Sequence, residues 1–139
     1  MVRLTLRIEF DNERAIGPGK ARLLELIGKH RSIAAAGRAM GMSYRRAWLL
    51  VDDLNHCFDE PVVQAQHGGR DGGGAALTAF GQTLVEHYRA IEKEAERATS
   101  KRLAALRRKL SDIGPKAVRA APPPSRPPCW AWTTGSSKQ

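Results

Sequence analysis

A chain of 139 residues is long enough for one ordinary domain with a single core and leaves room for only a very small second one. Its formal charge of +9, from 23 lysines and arginines against 14 acids, favours a polyanionic partner, either nucleic acid or an acidic membrane surface. Cys57 and Cys129 lie far apart with no CxxC pair, which argues against a disulfide framework or a zinc site, and no apolar run approaches the roughly 20 residues of a membrane span. The expectation is an unexported, cytoplasmic protein.

Leu4, Leu6, Ile8 and Phe10 alternate with Arg3, Thr5, Arg7 and Glu9, the period of a half-buried strand, and DNERAIGPG then breaks it. From about Lys20, Leu23, Leu24, Leu26 and Ile27 take helical spacing that ends near Gly28 to Arg31. Ser32 suits the N-cap of a short second helix through Ala34, Ala35, Ala36 and Ala39 to Met40. Gly41 suits the left-handed position that closes it, and Ser43 the N-cap of a third helix from about Tyr44 to Phe58. Ala47, Leu50, Val51, Leu54 and Phe58 give that helix a defined core face.

Past Pro61, VVQAQ and AAL read as two short strands around the glycine-rich HGGRDGGG, a hairpin with a loose tip. Thr78 suits the cap of a last helix carrying Phe80, Leu84, Tyr88, Ile91, Ala95 and Ala98, whose pattern stumbles at Thr99 and Ser100 and resumes at Leu103, Leu106, Leu110 and Ile113. At about 1.5 Å per residue a helix of about 32 residues is about 48 Å long, more than so small a domain covers, so its far half needs a partner. The ending APPPSRPPCWAWTTGSSKQ, with Trp130 and Trp132, reads as disordered. The expected organisation is a folded unit over 1–98, a helical extension over 99–113 and a proline-rich disordered tail over 114–139.

This order of elements is that of a winged helix-turn-helix, mainly α with a small β component and a long C-terminal dimerisation helix. Small or apolar residues at Ala36, Met40, Met42, Ala47 and Leu50 let the second and third helices cross around Gly41, and Gly37 stands where many such motifs have alanine. Between Lys20 and Arg46, seven cations face Glu25 alone. Two of them, Arg45 and Arg46, occupy the first turn of the third helix, where cations oppose the helix dipole at about 0.3 to 1 kcal/mol each. A phosphate or a guanine edge reverses that sign. The candidate DNA-binding residues are Ser32, Ser43, Tyr44, Arg45, Arg46 and Trp48, with His67 and Arg70 at the hairpin tip; Trp48 is as well suited to packing within the domain.

No catalytic or metal site is expected. His30, His56, His67 and His87 lack ligand spacing, Asp52 and Asp53 are adjacent and point to different sides of a helix, and GGRDGGG lacks the GK[ST] ending of a phosphate-binding loop.

SIAAAGRAMGMSYRRAWLLVDDLN, followed by EPVV, GGRDGGGAALT and FGQTLVEHYR, resembles the N-terminal DNA-binding domain of the molybdate-responsive ModE-type regulators, and more distantly the LysR-type helix-turn-helix. The resemblance covers about residues 3 to 98. It implies a winged-helix homodimer that binds double-stranded DNA at a palindromic operator and regulates molybdenum-related transcription. Carried over by motif, Ser32 and Ser43 to Trp48 fall in the helix-turn-helix and Arg70 in the wing. Full-length members add barrels that hold the oxyanion. Residues 112 to 139 are too few and too proline-rich to form one, so no cofactor and no small-molecule effector is expected on this chain. Two other readings compete: a winged-helix protein-interaction module, and membrane-surface association through SKRLAALRRKL.

Overall fold

The computed structural model describes residues 2–66 and 74–110. In chain order these form β1 (Ile8–Glu9), β2 (Ala15–Ile16), α1 (Pro18–His30), α2 (Ile33–Ala39), α3 (Tyr44–Cys57), β3 (Val63–Gln66), β4 (Gly74–Leu77) and α4 (Ala79–Arg107). The fold is mainly α with two small antiparallel ladders, β1 with β2 and β3 with β4. His67, Arg70, Cys129 and the tail with Trp130 and Trp132 lie outside the described residues, as does Ile113.

Helix starts follow the expected caps. Ser32 Oγ accepts from Ala35 N at 3.1 Å, Ser43 Oγ from Arg46 N at 3.2 Å and Thr78 Oγ1 from Gly81 N at 2.9 Å. Each satisfies one of the N–H groups that a helix leaves unpaired in its first turn. The turn between α2 and α3 needs Gly41 at φ +69°; an added Cβ there would meet nothing within 4 Å, so backbone conformation alone demands the glycine. Gly37 is a matter of space instead. A Cβ there would stand 3.1 Å from Ala47 Cβ where α2 crosses α3, so alanine is tighter at this position than the pattern of small residues implies.

The largest fully buried side chains are Ile16, Leu23, Leu24, Ile27, Leu54, Val62 and Tyr88, which join α1, α3 and α4 through β2 and the approach to β3. On α3, Ala47, Val51 and Leu54 are buried, and Leu50 and Phe58 pack against the same cluster, as the spacing predicts. Tyr88 is buried, its hydroxyl donating to Leu6 O at 2.7 Å, and burial pushes its pKa up. Arg89 bridges Glu25 of α1 and Glu92 of its own helix, so α4 is tied to α1 by charge as well as by packing. Its pKa is raised, chiefly by the hydrogen bond to Glu25.

Asn55 is the latch of the α3–β3 connection. Its Oδ1 accepts from Val62 N at 2.8 Å and Val63 N at 3.1 Å, while Nδ2 donates to Val63 O at 3.2 Å. Both valines are buried, so without Asn55 two backbone N–H groups lose their acceptor away from water. Asn55→Ala is expected to cost about 2 kcal/mol, a fall in Tm of roughly 8 to 16 °C by thermal denaturation, with Asn55→Asp losing less because it keeps the acceptor.

Four expectations need correction. The strand expected over Leu4 to Phe10 is reduced to Ile8–Glu9, because its return partner is only Ala15–Ile16, inside the segment expected to break it. Asp11 makes that return: its Oδ1 accepts from Glu13 N and Arg14 N, and these bonds hold its pKa down. The alternation itself holds, Leu4, Leu6 and Ile8 being half-buried between exposed neighbours, whereas Phe10 is exposed and meets Phe58 edge-on. Helix α1 starts at Pro18, ahead of Lys20, since proline's fixed φ suits the first helical position. Gly74 belongs to β4 and not to the loop, where a Cβ would come within 2.8 Å of Arg31 O. At the far end α4 runs unbroken through Thr99 and Ser100, whose hydroxyls bond back to Ala95 O and Arg97 O, and stops at Arg107.

Candidate nucleic-acid interface

Helix α3 packs through Ala47, Val51 and Leu54, which turns the opposite side outward. Tyr44 is 58%, Trp48 45% and Leu49 50% exposed, far too open for core side chains of their size. Trp48, which the sequence left between packing and contact, thus faces out, one helical turn from Tyr44. Arg45 and Arg46 are exposed beside them, and neither makes an ion pair among the described residues.

The acidic groups of the same helix, Asp52 and Asp53, lie two turns further along it. Asp53 Oδ2 accepts from Lys20 Nζ at 3.2 Å, and Asp52 lies 3.5 Å from His56 Nδ1. The surface of α3 therefore runs from two arginines without an ion pair among the described residues to two carboxylates behind them, of which Asp53 is held by Lys20. A polyanion approaching it is drawn to the front turn. Lys20, counted among the seven cations by sequence, is half spent: it also donates to Ala15 O at 3.1 Å. Glu25, the acid counted against them, is taken by Arg89.

Ser32 and Ser43 have their oxygens committed as caps, but each hydroxyl proton remains free to donate to a phosphate. The two serines sit at the N-termini of α2 and α3, on either side of the Gly41 turn. Arg7 was missed by sequence. It shares a groove of about 300 Å³ with Arg46, Lys20 and the start of α1, reached through the β1–β2 return that the strand pattern did not reveal. Among the described residues no cluster of three or more His, Cys, Asp or Glu could hold a metal ion, and no helix is long and apolar enough to cross a membrane.

Fold and surface together define a mainly helical unit with two short antiparallel ladders, presenting the capped, cationic front of one helix to solvent. No family model matches the chain. Among curated proteins, it is 38% identical over 98 residues to the molybdenum transport protein ModE of Azotobacter vinelandii, which covers 69% of this chain and 36% of that one. It is 44% identical over 77 residues to the molybdenum-pterin-binding protein MopA of Rhodobacter capsulatus, covering 55% of this chain and 29% of that one. Its match to the DNA-binding transcriptional dual regulator ModE of Escherichia coli K12 is 32% over 87 residues, 63% of this chain and 32% of the regulator. The chain thus spans about a third of the length of these relatives. By name, two of them are concerned with molybdenum and the third with transcriptional regulation.

Proposed function

We propose that this chain is a DNA-binding transcriptional regulator of the ModE type, built on a winged helix-turn-helix. Helix α3 enters the major groove front first, and the β3–β4 hairpin lies against the flanking backbone. The observation that carries the reading is the front of α3: Tyr44, Arg45 and Arg46 stand exposed and, among the described residues, without acidic partners at a capped helix start that follows the Gly41 turn. Similarity to ModE regulators, one of them named as DNA-binding, supports it.

Two copies pair through α4. Ile91, Leu106 and Leu110 are exposed along and just past it, and a groove of about 560 Å³ runs between Val2 and Arg3 and the far half of the helix, lined by Leu103 and Ala104. Such apolar surface on an isolated helical arm favours a second helix over water. Two-fold symmetry then sets inverted half-sites about 34 Å apart.

Fluorescence anisotropy against duplex DNA across a salt series tests the first claim, and gel filtration with light scattering the second. Binding that weakens steeply with salt, by a dimer, is expected. Salt-insensitive binding, or none, would favour a protein-interaction module presenting Tyr44, Trp48 and Leu49, and a stable monomer would remove the paired model.

A further inference from the structure

Beside the front of α3 lies the half-open groove of about 300 Å³ lined by Arg7, Ala15, Gly17, Pro18, Gly19, Lys20, Met42, Arg46 and Leu50. Three cations from three segments converge there: Arg7 from the N-terminal segment, Lys20 from α1 and Arg46 from α3. Their existing partners are unequal. Lys20 is held by Asp53 and Ala15 O and is largely covered. Arg7 pairs at 3.1 Å with Glu9, both side chains about two-thirds exposed or more, an arrangement that exchanges readily for a better acceptor. Arg46 has no acidic partner among the described residues.

The groove's floor adds to this. Helix α1 is capped by Gly17 with no side-chain hydrogen bond, whereas α2, α3 and α4 are each capped by a hydroxyl. Its first turn carries no acid, and the first helical bond is Ala21 N to Gly17 O, which leaves the N–H groups of Gly19 and Lys20 ahead of it without a partner among the described residues. Arg7, Arg46 and a helix start thus line one half-open groove.

We infer that this groove seats a backbone phosphate of the bound DNA, beside the stretch that α3 reads, with Arg7 and Arg46 as its ligands. The inference rests on the DNA-binding reading and deepens it. Because Arg46 belongs both to the groove and to the front of α3, one ligand spans the two surfaces, as a sugar-phosphate strand does where it leaves the major groove. Arg46 is accordingly a positioning contact, and base reading falls to Arg45 and Tyr44.

Two variants of the full chain test it by anisotropy over a salt series, each beside thermal denaturation. Arg7→Gln is expected to weaken binding about three- to tenfold on every duplex and to lower the slope of log affinity against log salt by about one, with Tm unchanged. Gly19→Glu is the stronger probe. An added Cβ at Gly19 meets nothing within 4 Å, and a carboxylate in the first turn favours the helix, so Tm is expected to hold or rise while DNA binding falls about tenfold or more.

If the wild type binds with normal salt dependence and both variants match it, the phosphate seat is wrong and the DNA-binding reading stands. If the wild type shows no salt-dependent binding, the parent reading fails. Inorganic phosphate that binds the wild type and neither variant, yet does not compete with DNA at matched ionic strength, would assign the groove to a free oxyanion and overturn the backbone assignment.

Discussion

Gly81→Ala is expected to destabilise the fold by about 3 kcal/mol or more, enough to lower Tm by roughly 12 to 24 °C. A Cβ at Gly81 would drive into Val62 O and stand 3.0 Å from Val62 C, so the obstacle is backbone. That carbonyl cannot swing away freely, because it accepts Thr78 N at 3.0 Å, and Thr78 in turn caps α4 and donates to Pro61 O at 2.6 Å. Relief therefore requires α4 to lift off the β3 approach, taking Leu84 and Tyr88 out of the core that they share with Leu24 and Ile27. Alanine's better helix propensity returns only about 1 kcal/mol. The same exchange at Gly19, where the added methyl meets open space, is expected to be neutral or stabilising, so paired denaturation curves separate crowding from the general effect of removing a glycine. Equal small shifts at both sites would show that α4 does not bear on Val62 as closely as described.

Gly81 also marks a limit of sequence reading. AAL signalled a strand, Thr78 a cap and the apolar spacing behind it a helix, and all three formed, because capping and periodicity are local physics carried by nearby residues. The same glycine's contact with Val62 joins segments far apart in sequence, and no local pattern encodes it. Asn55 is alike. In DDLN it reads as one more polar position on an outward helix face, yet its amide closes on the backbone of Val62 and Val63. Ser32, Ser43, Thr78 and Gly41 were legible because each acts within three residues of itself.

The candidate interface divides along the same line. Tyr44, Arg45 and Arg46 could be placed at the front of a helix from sequence, since the apolar spacing behind them fixes which side is buried. Which of the two arginines faces what could not, because Arg7 and the start of α1 reach Arg46 only through the tertiary fold. The cation count was also too generous. Seven cations within 27 positions look like one field, yet Lys20 is bound to Asp53, and Glu25, the acid set against them, belongs to a bridge with α4. Six exposed cations remain, Arg22, Lys29, Arg31, Arg38, Arg45 and Arg46, and the last two stand together at the α3 front.

The substitutions with the largest expected effect on function are Arg45→Ala and Arg46→Ala, and their signs on stability and on binding should be opposite. Both arginines sit in the first turn of α3, where a cation opposes the helix dipole by about 0.3 to 1 kcal/mol, and alanine is the better helix former. Neither is buried and neither loses an ion pair among the described residues, so each variant should fold as well as the wild type or slightly better. Binding should fall all the same. Arg46→Ala, losing a phosphate contact, is expected to weaken binding to every duplex and to lower the salt slope by about one. Arg45→Ala, losing a base edge, is expected to cost about 1 to 3 kcal/mol on the preferred sequence, roughly 5- to 150-fold, while relaxing preference at a single position. Anisotropy on a duplex set varied one base pair at a time, beside thermal denaturation of the same proteins, reads both quantities. If stability and affinity fall together, the arginines hold the fold and do not meet DNA; if affinity is unchanged while stability rises, the front of α3 is not where the polyanion binds.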